Sequence, residues 1–309
     1  MNWSFRVKQS CINRVVPVIL VLYIGLLGFI TFAILVSWKP QEQVQVKTYA
    51  RFVPERADDF AWENDKVAFR VYGPAMRNRP EDSGIDCWLK RVDYPIIDKW
   101  YLGNVNKKSY HRDHGEGYDP YHVGSSRGCG GLGLWINDSL ITSDTYTEWK
   151  VIKSDITETV FVLTYEWKYD GDNYKEEKQI TIRLGELFFR LESTFWKNEK
   201  IATNLPIAIG VTTHDGKASA SKDLSKGWMS CWEDIDGFGL GTGVLIKPSR
   251  IKQYKLIDTD QKDDGHALFI TSTDKYGKID YIAGYGWEKA GIIKTSNSWN
   301  TYLANQLKL

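Results

Sequence analysis

Cysteine is scarce, with four residues in 309, and no two of them form a C-x-x-C pair. A zinc ribbon and a dithiol redox motif are therefore excluded. No G-x-G-x-x-G follows a strand, and "GCGGLG" at 128–133 lacks the Lys-Ser/Thr of a Walker loop, so the common nucleotide-phosphate cradles are absent too. Charge of one sign is missing as well: 40 basic and 39 acidic residues leave a net of +1, which offers no basic face for nucleic acid. Histidine is rare at five, yet His111, His114 and His122 fall together in "SYHRDHGEGYDPYHVGSSRGCGGLGLW", Ser109 to Trp135, among seven glycines.

One long hydrophobic run is present. Residues 15–38 carry no charge over 24 positions, roughly 36 Å of helix against a hydrocarbon layer of about 30 Å. No small-x-small site closes the run, and Cys11 precedes it, so the sequence predicts an uncleaved transmembrane anchor over a cleaved signal. Arg6, Lys8 and Arg14 lie before it without an acid, which predicts a cytosolic tail at 1–14 and an inner-membrane anchor with the main domain in the periplasm, or secreted if the segment is cleaved. Residues 39–50 read as a stalk and 51–309 as the working domain. With the three N-terminal cations set aside, 37 of the 40 basic residues face 39 acids. In an oxidising compartment Cys87, Cys129 and Cys231 allow one disulfide and one thiol, with no pair chosen.

The domain reads as all-β. Strands are predicted at 66–73, 158–169, 174–184, 187–196, 205–214, 242–248, 266–273 and 279–287, rich in Val, Ile, Thr and aromatics, several with period-two alternation. "YDGDNY" at 169–174 predicts a hairpin turn. Only "SWNTYLANQL" near the C-terminus reads as helix, with Ser298 and Asn300 as caps. The expectation is a large antiparallel β-sandwich, in one form a galactose-mutarotase-like supersandwich, interrupted by the histidine loop as a long functional loop.

Three readings compete for that loop. Imidazole beside carboxylate suits a divalent metal, with His111, His114, His122 and Glu116 as ligands, although the glycines around Glu116 exclude the helix that would aim both histidines at one ion. Alternatively, histidines near Tyr118, Tyr121 and Arg127 supply acid–base groups for catalysis. The third reading is ordinary surface polarity. Upstream, Glu55, Arg56, Trp62, Glu63 and Asn64 have the make-up of a sugar subsite, an aromatic face beside hydroxyl acceptors. Lys90, Arg91 and Lys99 among Trp88, Tyr94, Trp100 and Tyr101 could meet an anionic sugar, or snorkel at the surface.

Four blocks, "FVPERADDFAWENDKVAFRVYGPA", "SGIDCWLKRVDYPIIDKWY", the histidine loop and "YIAGYGWEKAGIIKTSNSWNTYL", occur in this order. Together they resemble the bacterial domain of unknown function 4861 family over about residues 46–305. The resemblance implies a secreted all-β enzyme, like dehydratases of marine ulvan oligosaccharides, removing water across C4 and C5 of a non-reducing-end glucuronate or iduronate.

The residues admit that chemistry independently. Removing a C5 proton requires a cation on the neighbouring carboxylate, for which Arg127 or Arg112 serves. His114, then His122, is the expected base and Tyr118 or Tyr121 the acid, with Glu55, Arg56, Glu63 and Asn64 holding the sugar. The alternatives are a polysaccharide lyase, a non-catalytic membrane-anchored glycan-binding protein, and an epimerase or mutarotase-like activity. The expected partner is an anionic oligosaccharide, with a metal as an optional cofactor.

Overall fold

A computed structural model describes residues 45–79 and 84–306. The chain first forms β1 (Tyr49–Val53), β2 (Asp59–Glu63), β3 (Ala68–Val71) and β4 (Asp86–Lys90), antiparallel neighbours in that order, and the two-residue β5 (Gly117–Tyr118) closes this sheet beside β4. Helix α1 (Ile97–Val105) lies between β4 and β5. Next come β6 (Cys129–Ile136), β7 (Ser139–Ile141), β8 (Glu148–Ser154), β9 (Glu158–Tyr169), β10 (Asp172–Arg183), β11 (Phe188–Lys197) and β12 (Lys200–Ile201). The last strands are β13 (Pro206–His214), β14 (Ser219–Asp223), β15 (Trp228–Ile235), β16 (Phe238–Leu245), β17 (Gln253–Ile257), β18 (Gly265–Ser272) and β19 (Lys278–Trp287), followed by helix α2 (Ser296–Ala304). A nine-stranded sheet runs β14-β15-β16-β19-β11-β10-β9-β8 with β12 paired to β11, and a second five-stranded sheet runs β17-β18-β13-β6-β7.

Alternation builds the large sheet. In β9, Phe161, Leu163 and Tyr165 turn inward, and β10 answers with Ile180 and Ile182. The hairpin between them turns on Asp170 and Gly171, both with positive φ (50° and 81°), as two-residue hairpin loops require. The N-terminal sheet packs on this one through aromatic contacts: Trp62 lies 5.4 Å from Phe161, and Phe69 lies 4.7 Å from Phe189, ring to ring. Such pairs add about 0.5–1.5 kcal/mol each beyond the area they bury. The opposite face of β2–β4 is covered by α1, whose Ile97, Trp100 and Tyr101 pack with Ala61, Ala68 and Trp88. These strands are thus buried on both faces, which erases the alternation a sequence reading depends on.

The start of α1 is held from across the sheet. Its N-cap, Ile96, has no side-chain acceptor. The Glu63 carboxylate supplies one, accepting the backbone N–H groups of Ile96 and Ile97 at 2.9 Å, and it is neutralised by Lys90 Nζ at 2.7 Å. Lys90 also donates to the carbonyls of Asn64 and Tyr94, at 2.8 and 2.9 Å. Both side chains of the pair are fully buried.

Several expectations need correction. Among the described residues no helix is long and apolar enough to cross a membrane. Both described α-helices have nine residues, about 14 Å, half the hydrocarbon thickness. The predicted anchor at 15–38 lies outside the described residues, so the transmembrane helix, the membrane partner and the inner-membrane, periplasmic placement have no element behind them and are set aside. The first strand begins at Tyr49, inside the expected stalk. Cys87, Cys129 and Cys231 are free thiols buried in the interior, and no disulfide joins them. The segment "GCGGLGLW", expected as loop, is strand β6. Helix α2 is capped by Thr295, in a capping box with Ser298, and not by Ser298 or Asn300 as N-caps.

Replacing Lys90 by Met leaves the Glu63 carboxylate buried without its counter-charge. The expected loss is about 3–5 kcal/mol of folding stability, read from the urea midpoint. A change below about 1 kcal/mol would contradict the role given to the pair.

Candidate active site

Helix α1 and the chain after it enclose a cleft of about 440 Å³, lined by Lys99, Trp100, Lys108, Tyr110, Arg112, His114 and Glu116. Lys99 and Trp100 are positioned by the helix, and the rest by the glycine-rich turn that follows. Gly117 makes that turn's return to β4 feasible. Its φ is +118°, and a Cβ there would stand 1.9 Å from the Leu89 carbonyl oxygen.

His114 Nε2 faces the Ser109 carbonyl at 3.0 Å. A carbonyl only accepts, so Nε2 carries a proton, and in the neutral ring the lone pair is on Nδ1. Glu116 accepts from Lys99 and Tyr94 on one oxygen and from Trp100 Nε1 on the other, at 3.2 Å. Burial acts to raise its carboxyl, but these donors outweigh burial and hold it below the usual carboxylate range. The same contact pushes the Tyr94 phenol up to about 12.

Tyr110 joins the cleft to a buried charge cluster. Its phenol oxygen accepts from Arg70 at 3.3 Å, and Arg56 lies against it as well. Arg70 in turn donates to Asp86 at 2.5 Å and to Asp119 at 3.1 Å, with Asp59 at 3.6 Å. Burial raises the Asp59 carboxyl to about 6, against the pull of Arg70 and Arg56. The turn itself is tied by Asp113, which accepts from Arg91 at 3.1 Å, Lys289 at 2.9 Å and the Gly115 amide at 2.8 Å.

Of the residues singled out from the sequence, His114, Arg112 and Glu116 meet in this cleft, and Arg56 lies beneath it. Lys99 and Trp100, from the strip of cations among aromatics, line it as well, and the others do not join them. His111 is more than half exposed and its Nδ1 donates to the Asp119 carbonyl at 2.9 Å. Tyr118 donates to Asp236 at 2.6 Å, and burial with that carboxylate raises its phenol. Tyr121 is buried, and its hydroxyl has no hydrogen-bond partner among the described residues. Arg127, expected as a carboxylate clamp, is 2% exposed and donates to the Leu132 carbonyl. With burial as the larger cause, its charge helps push the neighbouring His266 down to about 4.

The expected sugar subsite is interior. Trp62 is fully buried among Phe69, Phe161 and Phe189; Glu63 and Lys90 are the buried pair beneath α1. Asn64 ties its side chain to the Arg183 and Glu186 carbonyls, at 2.6 and 2.8 Å. Glu55 pairs with Arg51 at the surface, and Arg91 serves Asp113. Among the described residues no group of three or more His, Cys, Asp or Glu stands close enough to hold a metal, so His111, His114, His122 and Glu116 do not form the expected ligand set.

Sequence reasoning missed Lys108 and Tyr110, because helix α1 was not foreseen. Its signal was present in Ile97, Trp100 and Tyr101 at helical spacing. It also missed His214, at the end of β13, which holds the loop at its far side. Nδ1 lies 2.7 Å from Glu233 Oε2 and Nε2 lies 2.8 Å from the His122 carbonyl. Both partners accept, so the geometry favours the protonated ring, which donates from both nitrogens. Burial lowers this imidazole, but Glu233 outweighs it and the net shift is upward.

Comparison with known proteins adds a family. Residues 31–308 match the model described as Domain of unknown function (DUF4861). A protein of Formosa agariphila named Uncharacterized protein P7 is 36% identical over 269 residues, covering 84% of this chain and 66% of its own length. This chain thus spans just under two thirds of that relative. Among solved structures, the GH36 α-galactosidase AgaB of Geobacillus stearothermophilus aligns with a TM-score of 0.37 at 8% identity, over 77% of this chain and 41% of its own. An α-galactosidase of Lactobacillus brevis aligns at 0.34 and 9%, over 74% and 39%.

The His214 pair gives stability a pH dependence with a definite sign. A raised folded pKa means that the pair's contribution is complete below the unfolded value near 6.5. It is then lost as pH rises through the folded value. Urea midpoints measured across this range should fall with rising pH in the wild type and should flatten in Glu233→Gln; an unchanged slope would contradict the assignment.

Proposed function

The chain belongs to the family Domain of unknown function (DUF4861), and from that premise we propose that it is a carbohydrate-active enzyme that dehydrates a terminal uronic acid of an oligosaccharide. The observation that carries this reading is the cleft itself: three cations, Lys99, Lys108 and Arg112, gathered around a histidine with a free ring nitrogen. Such a set suits one anionic sugar ring. It differs from the expected set in its acid and in its clamp.

The sugar's carboxylate sits against Lys99, Lys108 and Arg112, where the charge that develops on its oxygens is met by fixed cations. His114 Nδ1 takes the proton from C5 as general base. The C5–H electron pair forms the C4–C5 double bond while the C4–O bond breaks. Tyr110 gives its proton to the departing hydroxyl, which leaves as water. Its own oxygen accepts from Arg70, so the phenol proton is not committed to that contact, and the guanidinium faces the oxygen on which charge appears. Tyr118 and Tyr121, the acids expected from sequence, are not among the residues that line the cleft, and Tyr118 donates its hydroxyl proton to a hydrogen bond with Asp236. The product is a 4,5-unsaturated uronate, and each catalytic group recovers its proton state through solvent.

Saturated oligosaccharides ending in glucuronate or iduronate provide the test, followed by the ultraviolet absorbance of the new double bond and by product mass. Loss of one water without chain shortening is the expected result. Chain cleavage would move the reading to a polysaccharide lyase, and no reaction on any such substrate would overturn it. His114→Ala should lower kcat by about 10²- to 10⁴-fold with little change in KM. Arg112→Ala should raise KM and lower kcat together, because the guanidinium meets both the bound carboxylate and the charge that develops on it.

A further inference from the structure

A second hollow of about 450 Å³ adjoins the cleft. Tyr94 is the wall between them: it lines the second hollow, while its hydroxyl bonds Glu116, which lines the first. Arg91 lines the second hollow too, and its Nε donates to the carbonyl of Gly115, between His114 and Glu116, at 3.2 Å. The two spaces are therefore one side chain apart.

Their chemistry differs. In the cleft, Lys99, Lys108 and Arg112 outnumber the one carboxylate, Glu116. In the second hollow each cation has its own counter-ion: Lys66 with Asp65 at 3.0 Å, Arg91 with Asp113 at 3.1 Å, and Lys90 with Glu63 at 2.7 Å. Asp93 adds one more exposed carboxylate, and the accessible part of the remaining lining is largely apolar, with Val92, the Tyr94 ring and Ile292. A polar rim with no spare cation and one unpaired carboxylate among the described residues, beside the Tyr94 ring and aliphatic side chains, disfavours a second acidic sugar and suits an uncharged ring, which presents C–H bonds on one face and hydroxyls at its edge.

We propose that this hollow binds the sugar next to the terminal uronate, as an uncharged ring laid against Tyr94 and Val92 with its hydroxyls at Lys66 and Asp93. The assignment rests on the reading of the cleft as the uronate site. It makes the protein selective for oligosaccharides over simple uronides, with the acidic residue terminal and the neutral residue second. Recognition of the second ring then supplies affinity that a lone uronate cannot reach.

Ile292 is half exposed at this hollow and takes no part in the cleft. Ile292→Trp fills the space, and Lys66→Ala removes a rim group without touching the core. Binding by calorimetry and turnover would be measured for each variant with a saturated uronate-terminated trisaccharide carrying a neutral second sugar, and with methyl glucuronide. The expected result is a weakening of the trisaccharide by about tenfold in Ile292→Trp, in both Kd and KM, with methyl glucuronide unchanged. Equal effects on both ligands, or no effect on either, would overturn the subsite. Binding that discriminates as expected with no turnover by the wild type would sustain the subsite and sink the dehydration reading. Failure of the wild type to bind either sugar would sink both.

Discussion

The cleft depends on a charge buried far from water. Glu63 carries the start of α1 on its two oxygens, and Lys90 makes that carboxylate tolerable in the interior. Without the pair, the first turn of the helix would face the sheet with unmet N–H groups. Lys99 and Trp100 lie on that helix one turn later, so the placement of two cleft groups follows from a contact neither of them makes. A buried ion pair is weak as a source of net stability and strong as a device for fixing register. Here it fixes where a short helix sits.

A second layer of charge lies under Tyr110. Arg70 gathers Asp86, Asp119 and Asp59 in the interior, and the phenol rests on it. Burial is the larger force on Asp59, which holds its proton up to about 6 even with Arg70 and Arg56 pulling the other way. The cluster anchors β2, β3 and β4 to the chain at Asp119. It also gives the cleft a floor that is polar yet dry.

Parts of this were legible from sequence, and the reasons differ by region. β9 and β10 followed from alternation and a turn pair, because one face of that hairpin meets solvent. β2 and β4 did not, since sheet and helix bury them on both sides and their acids look like turn residues until their partners are known. His114, Arg112 and Glu116 could be named because they are neighbours in the chain and stay neighbours in space. Tyr118 was misplaced for a related reason. It lies one residue beyond Gly117, but on a strand, where consecutive side chains point to opposite faces. Trp62 has the composition of a sugar platform and the burial of a core residue, and composition alone cannot separate the two.

The histidine loop is held at four separated points: Asp113 on Lys289, Tyr118 on Asp236, the His122 carbonyl on His214, and the Ser126 amide on the Asp263 carbonyl. A segment fastened so often does not swing as a lid. Its walls stand in place before any ligand arrives, so no free energy is diverted to ordering them at encounter. Passage through the open mouth, in both directions, then governs the traffic of small molecules, and the time a product stays is set by its own contacts with the walls and not by the opening of a gate.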